Sequence, residues 1–281
     1  MSTKALKRSG GTRASAAALK RAGKRRPPKT QSRRARGNPH TLSEQYWDIT
    51  HRPLQCLVFL LPMLLAYEVG MIMLHSGRGN DPPSPLAAQQ LLQWFFSLFG
   101  ANGFYLPGLA LIVVVLGWQM ASSFPWKVSL GPLAGMSGES VLLAIPLLFM
   151  NQWLPLLRSL QGASSNQPTT LRQGFDELLL SVGAGLYEEL VFRLIIISLI
   201  TLLLIDIGRL RQVTGVALAV IVSSVLFAAH HYHPIGADQW STSEFAFRVV
   251  AGGHLAVVYV VRGFGLAVGC HVTYDVMAFL L

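Results

Sequence analysis

The sequence predicts an all-α protein, a polytopic membrane helix bundle of about seven spans that carries a disordered basic N-terminal tail. Composition is the first reason: 52% of the 281 residues are hydrophobic and 13% charged, with a mean hydropathy of +0.45, which is too apolar for an ordinary soluble domain of this length. Uneven charge is the second. The first 36 residues hold 13 of the 23 Lys and Arg and no acid, so the remaining 10 basic residues face all 13 acids and the net charge of +10 belongs to the tail. Third, apolar runs of helix-spanning length recur along the rest of the chain, and no alternating pattern calls for strands.

Each element has its own justification. Residues 1–40 contain the runs Lys24-Arg25-Arg26 and Arg33-Arg34-Ala35-Arg36 with almost nothing apolar to bury, so the segment is expected to be a disordered cytoplasmic tail. Such a tail keeps the N-terminus inside and can touch anionic lipid headgroups; no nucleic-acid partner is expected. It has no apolar h-region or cleavage site close behind the charges, so it does not read as a cleaved signal peptide. Residues 41–174 are expected to form N-terminal membrane helices. One runs from about Pro53 to Leu74, long enough at 1.5 Å per residue to cross a hydrocarbon core of roughly 30 Å. Arg78 to Pro85 is a Pro- and Gly-rich connector. Leu86 to Phe99 interleaves Gln89, Gln90 and Gln93 with Leu, Trp and Phe over only about four turns, which suits an interfacial helix. Further spans are expected at about Leu106 to Met120 and Gly138 to Leu157, with an aromatic loop around Pro125 between them and a polar stretch from Arg158 to Gly174 after them.

Residues 175–281 read as a membrane helix core. A long apolar run from Phe175 to about Gly208 is followed by a turn at Asp206 to Gln212 and by spans at about Val213 to His231, Phe245 to Val261 and Gly265 to Leu281. Gly265 and Gly269 stand four apart, a close-packing pattern in lipid. An N-in count of seven spans places Lys127, Arg209, Arg211 and Arg262 inside, as the positive-inside rule prefers, and His231 towards the outer face. The chain is expected in the plasma (inner) membrane. Cys56 and Cys270 lie in apolar segments and form no disulfide framework or zinc-ribbon spacing.

Chemistry is concentrated in three polar constellations inside apolar helices. The first is Tyr187-Glu188-Glu189-Leu190-Val191-Phe192-Arg193. Residues four apart share a helix face, so Glu189 can pair with Arg193 while Glu188 must look elsewhere. The second, Phe227 to His231, puts Phe227 and His231 on one face; the third, His271 to Asp275, does the same for those two residues. A purely structural reading would make them a buried ion pair and satisfied core histidines. Three sites supplying Glu, His and His with Asp are instead the residue types of general-base chemistry or metal ligation. Sequence distance lets two of them meet. With a turn near Arg209, Glu188 lies 21 residues before it and His231 22 after it, level with each other on antiparallel helices.

The order E-E-x-x-x-R, F-x-x-x-H and H-x-x-x-D resembles that of the CPBP family of intramembrane proteases, the CAAX prenyl endopeptidase and bacteriocin-processing enzymes. Glu188, Glu189 and Arg193 match the first pattern, Phe227 and His231 the second, and His271 and Asp275 the third. Asp275 stands where the family more often has Asn. The resemblance implies an intramembrane endopeptidase acting on a membrane-associated or lipidated peptide. Glu188 and His231 would activate water, His271 and Asp275 would hold the oxyanion or a metal, and Glu189, Arg193 and Phe227 would support them. A divalent metal such as zinc, if bound, is expected on His231 and His271 with Glu188 or Asp275. A catalytically silent binding or immunity protein on the same fold is the alternative from another class. Gly135-Met136-Ser137-Gly138 resembles a rhomboid serine motif but lacks its histidine context, and no H-E-x-x-H is present.

Overall fold

The structure is a computed structural model that describes residues 39–78, 86–160 and 171–281. The basic tail up to residue 38, most of the connector at 78–85 and the centre of the polar stretch at 158–174 lie outside the described residues. Helices α1 (Pro39–Thr50), α2 (Pro53–Arg78), α3 (Ala87–Ser97), α4 (Leu106–Ala121) and α5 (Leu130–Leu160) form the first half. The second half begins with a long continuous helix made of α6 (Leu171–Glu189), the π-helical segment π1 (Leu190–Ile197), α7 (Ser198–Thr201) and a second π segment, π2 (Leu202–Ile207). It continues with α8 (Gln212–Ala229), α9 (Thr242–Arg262) and α10 (Phe264–Leu280). No strand occurs among the described residues, which contain one isolated bridge between Tyr232 and Asp238.

Among the described residues, five helical stretches are long and apolar enough to cross a membrane: Pro53–Ser76, Leu130–Trp153, Gly174–Ile207, Gln212–Ala229 and Thr242–Arg262. Two shorter apolar helices, α4 and α10, complete a set of seven. The chain is an integral membrane protein. Leu65, Ile72, Val113, Leu142, Phe149 and Ile221 are among the exposed large apolar side chains, as expected where the outer surface faces lipid rather than water. The Gly174–Ile207 stretch has 34 residues, a length of roughly 51 Å that exceeds a core of roughly 30 Å and requires tilt or protrusion.

The first half of helix α10 is central. Every residue from Phe264 to Val272 is buried, and a helix that is apolar all round belongs inside a bundle. Small residues let its neighbours approach. A Cβ on Gly185 of α6 would lie 3.0 Å from the backbone N of Val272, so only glycine permits this contact between α6 and α10. The predicted Gly265 and Gly269 face Cys56 and Ser140, which carries α10 against α2 and α5.

Two turns set the register of the second half. Arg209, at φ 55, adopts the left-handed conformation at the predicted turning point, while the N–H groups of Gly208 and Leu210 bond back to Leu203 and Leu204, each at 2.9 Å. Gly263, at φ 89, makes the corner between α9 and α10. The start of α9 is capped by Ser241, whose Oγ accepts from the Glu244 N–H at 3.4 Å.

Helix α1 is an element that hydrophobic periodicity does not announce. Polar and aromatic contacts dock it instead. The Arg262 guanidinium donates through Nη2 to Glu139 Oε2 at 2.8 Å and lies over the Trp47 ring at 3.6 Å. Tyr46 Oη donates to the same carboxylate at 2.7 Å. Burial first, and then this bond to Glu139, raise the Tyr46 phenol above its usual range and keep it a donor. Helix α5 starts at Leu130, eight residues ahead of the expected Gly138. Gly131 and Pro132 fall in its first turn, where proline is tolerated because those N–H groups have no helical partner.

Candidate active site

At the end of the bundle remote from α1, the three polar constellations converge. Arg248 precedes Arg262 by 14 residues on α9, about 21 Å at 1.5 Å per residue, and it lines a cavity of about 280 Å³ together with Glu188, His231, His271 and Asp275. Leu147 and Asn151 of α5 and Ala251 and Leu255 of α9 form further walls. Glu188 and Glu189 close α6 where the hydrogen-bond ladder passes into π1, a kind of irregularity frequent at functional sites. His230 and His231 lie just beyond α8, and His271 and Asp275 project from α10.

Glu188 is at the centre. Its Oε1 lies 3.3 Å from His230 Nε2 and 3.8 Å from His231 Nε2, and its Oε2 lies 3.8 Å from His271 Nε2. His231 lines the cavity, whereas His230 is buried behind it. Both Nδ1 atoms meet the carbonyl oxygen of Phe227, at 2.5 and 2.9 Å. A carbonyl cannot donate, so each Nδ1 carries the proton and each Nε2 is turned towards Glu188. Two imidazole lone pairs and a carboxylate oxygen aimed at one point call for a proton, a water molecule or a cation between them.

Glu189 holds two partners. Its Oε2 is 3.1 Å from Arg193 Nε, with both side chains fully buried, and its Oε1 accepts from His271 Nδ1 at 2.8 Å. The contact with Arg193 is an ionic approach without hydrogen-bond alignment, and Arg193 Nη1 has no acceptor among the described residues. The guanidinium is further held by a bond from Nη2 to the Gly252 carbonyl at 3.2 Å and by the Phe227 ring 4.2 Å away. Phe227 also touches His231 and His271, at centroid distances of 5.2 and 5.8 Å. His271 Nε2 is 3.4 Å from Asp275 Oδ2.

All seven side chains singled out in the sequence, Glu188, Glu189, Arg193, Phe227, His231, His271 and Asp275, therefore meet in one place. Two features go beyond the expected pattern: the approach of both His230 and His231 to Glu188, where the sequence left open which of the two faces the site, and the bond between Glu189 and His271. Adjacent histidines at 230 and 231 were the available signal for the first. Nothing in the spacing could give the second, because no turn length relates α6 to the depth of His271.

A metal fits a somewhat different donor set from the expected one. Among the described residues, the group whose ligand atoms lie within 4.8 Å of one another is Glu188, His230 and His231. Tetrahedral zinc with bonds of roughly 2.0–2.2 Å keeps its ligand atoms about 3.3 Å apart, close to the 3.3 and 3.8 Å found here. In that group the partner of His231 is His230, while His271, whose Nδ1 donates to Glu189, keeps its Nε2 3.8 Å from Glu188 Oε2.

No curated protein and no solved structure matches the chain. Residues 174–277 match the family described as type II CAAX prenyl endopeptidase Rce1-like. That range contains both glutamates, both adjacent histidines, His271 and Asp275. The part of the chain that builds this constellation is therefore an Rce1-like domain of the CPBP membrane protease family.

Proposed function

We propose that the protein is an intramembrane endopeptidase that hydrolyses a peptide bond of a membrane-associated or lipidated substrate. The observation that carries this reading is the convergence of Glu188 with the Nε2 atoms of His230, His231 and His271 beside a polar cavity. In this account a water molecule sits in the cavity between Glu188 and His231. Glu188 takes its proton as the oxygen attacks the scissile carbonyl, and His231, whose Nδ1–H is fixed by Phe227, supports that transfer. His271 Nε2, with Asp275 beside it, faces the oxygen that becomes negative, and Glu189 fixes the orientation of His271 as a carboxylate holds a catalytic imidazole. Arg193 and Phe227 brace this pair. A divalent metal, if bound, would be held by Glu188, His230 and His231 and would supply Lewis acidity and a more acidic water.

The N-terminus is assigned to the cytoplasmic side of the plasma membrane, with the basic tail against anionic headgroups. Comparative membrane proteomics of cells carrying the wild type or Glu188→Ala tests the function. Substrates should accumulate uncleaved in the variant; identical peptide termini in both would contradict the proposal.

A further inference from the structure

We propose that Glu68, acting through Tyr187, is a positioning residue that fixes the rotation of α6 at the point where Glu188 and Glu189 leave it; the inference rests on the protease reading above. Glu68 is the one acid in the sequence of α2, and a carboxyl group inside an apolar span is costly without a partner. Its partner is the Tyr187 phenol, which donates to Glu68 Oε1. Gly108 of α4 makes room for the carboxyl group, since a Cβ there would lie 2.5 Å from Oε1. Tyr187 is fully buried, and its ring meets the Tyr67 ring edge-on at a centroid distance of 5.4 Å. The Tyr67 ring in turn fills the space that a Cβ on Gly183, one turn before Tyr187, would need. Three helices, α2, α4 and α6, are thus shaped around a bond that uses none of the reacting groups.

Successive residues of a helix point about 100° apart. Tyr187 therefore faces α2 while Glu188 faces the histidines beyond α8 and His271 of α10, and holding one sets the direction of the other. The hold matters here because the α-helical ladder ends at Glu189 and π1 begins at Leu190. A π segment is an uncommon register, and a slip of one residue turns a side chain by about 100°. Such a turn would carry Glu188 away from imidazole nitrogens that now lie 3.3 and 3.8 Å from it. The far side of the junction is held as well. There the buried Ser223 hydroxyl donates to the Phe192 carbonyl at 2.7 Å, and Arg193 Nη2 donates to that of Gly252. The bond from Tyr187 to Glu68 is the matching hold on the near side.

The test measures cleavage of a peptide found by the proteomic comparison, using full-length protein in liposomes with rates normalised to folded protein. Tyr187→Phe and Glu68→Leu should each lower kcat by roughly 10- to 100-fold, with KM within about two-fold of wild type. The double variant Tyr187→Phe/Glu68→Leu, which leaves no buried group of this pair without its partner, should be no slower than either single one, because the same bond is lost in all three. Glu68→Gln, whose amide oxygen can accept that bond, should recover most of the rate. Tyr67→Phe loses a buried hydrogen bond to Gln89 in the same layer and should keep wild-type kcat. Wild-type kcat in Tyr187→Phe and Glu68→Leu, additive losses in the double variant, failure of Glu68→Gln to recover, or an equal loss in Tyr67→Phe overturns the proposal. Amide hydrogen exchange over residues 186–197 separates it from the protease reading. Exchange roughly ten-fold faster in Tyr187→Phe and Glu68→Leu, but not in Glu68→Gln or Tyr67→Phe, upholds the hold on α6 even if wild type cleaves no peptide; unchanged exchange in all four sinks it.

Discussion

Removing the charge of Glu189 should strand a guanidinium that cannot respond by losing its proton. Glu189 and Arg193 are both fully buried and 3.1 Å apart, and breaking such a pair from one side costs about 3 to 5 kcal/mol. The Phe227 ring and the Gly252 carbonyl remain with Arg193, which favours the lower end of that range. The folded unit His40–Leu281 is of a size for which each kcal/mol shifts a melting midpoint by about 2–4 °C, so Glu189→Gln should melt roughly 6 to 20 °C below wild type in detergent. Glu188→Gln should shift the midpoint by far less, within about 1 kcal/mol, because its partners are histidines that can become neutral while keeping their Nδ1–H bonds to Phe227. The double variant Glu189→Leu/Arg193→Met removes both charges. It should recover most of the lost stability, since an apolar replacement of a buried pair is often neutral or better. It should nevertheless remain inactive, because the acceptor for His271 Nδ1 is gone. Thermal unfolding and peptide cleavage measured on the same preparations decide the matter. Wild-type melting of Glu189→Gln, or a double variant as unstable as the single, would refute the reasoning.

Three further outcomes are expected. Gly185→Val should separate α6 from α10 at Val272 and abolish cleavage, and retained activity at wild-type levels would show that the contact is not needed. Gln239→Cys, in the exposed loop between α8 and α9, should react with an impermeant thiol reagent from the membrane side opposite to Lys127→Cys and Arg211→Cys, with little background because Cys56 and Cys270 are buried; labelling of all three from one side contradicts the topology. If the purified protein carries zinc, elemental analysis should give about one equivalent, and His230→Ala should reduce it at least as strongly as His271→Ala. Less than a tenth of an equivalent in fully active protein would remove the metal from the account.

Much of the site was legible because helices convert sequence spacing into depth. The turn at Arg209 leaves Glu188 and the His230-His231 pair equidistant from it, and they meet at 3.3 and 3.8 Å. The same rule paired Glu189 with Arg193. It failed wherever position depends on rotation about the helix or on contacts without a period. Which of His230 and His231 lines the cavity is fixed by the backbone leaving α8, not by a count. Helix α1 escaped because Tyr46, Trp47 and Arg262 dock it by hydrogen bonds and ring stacking rather than by an apolar stripe. Glu68, inside the first span, gave no motif, yet it accepts a hydrogen bond from Tyr187, the neighbour of Glu188. Intramembrane carboxylates of this kind find their partners through three-dimensional packing.

The central claim is that Glu188 is the base of a hydrolytic site. The measurement that reaches it most directly is the turnover of a peptide found by the proteomic comparison, using purified wild-type and Glu188→Gln protein in liposomes at matched melting temperature. The account predicts a kcat reduced by roughly 100-fold or more in the variant. Near wild-type turnover by Glu188→Gln would contradict it.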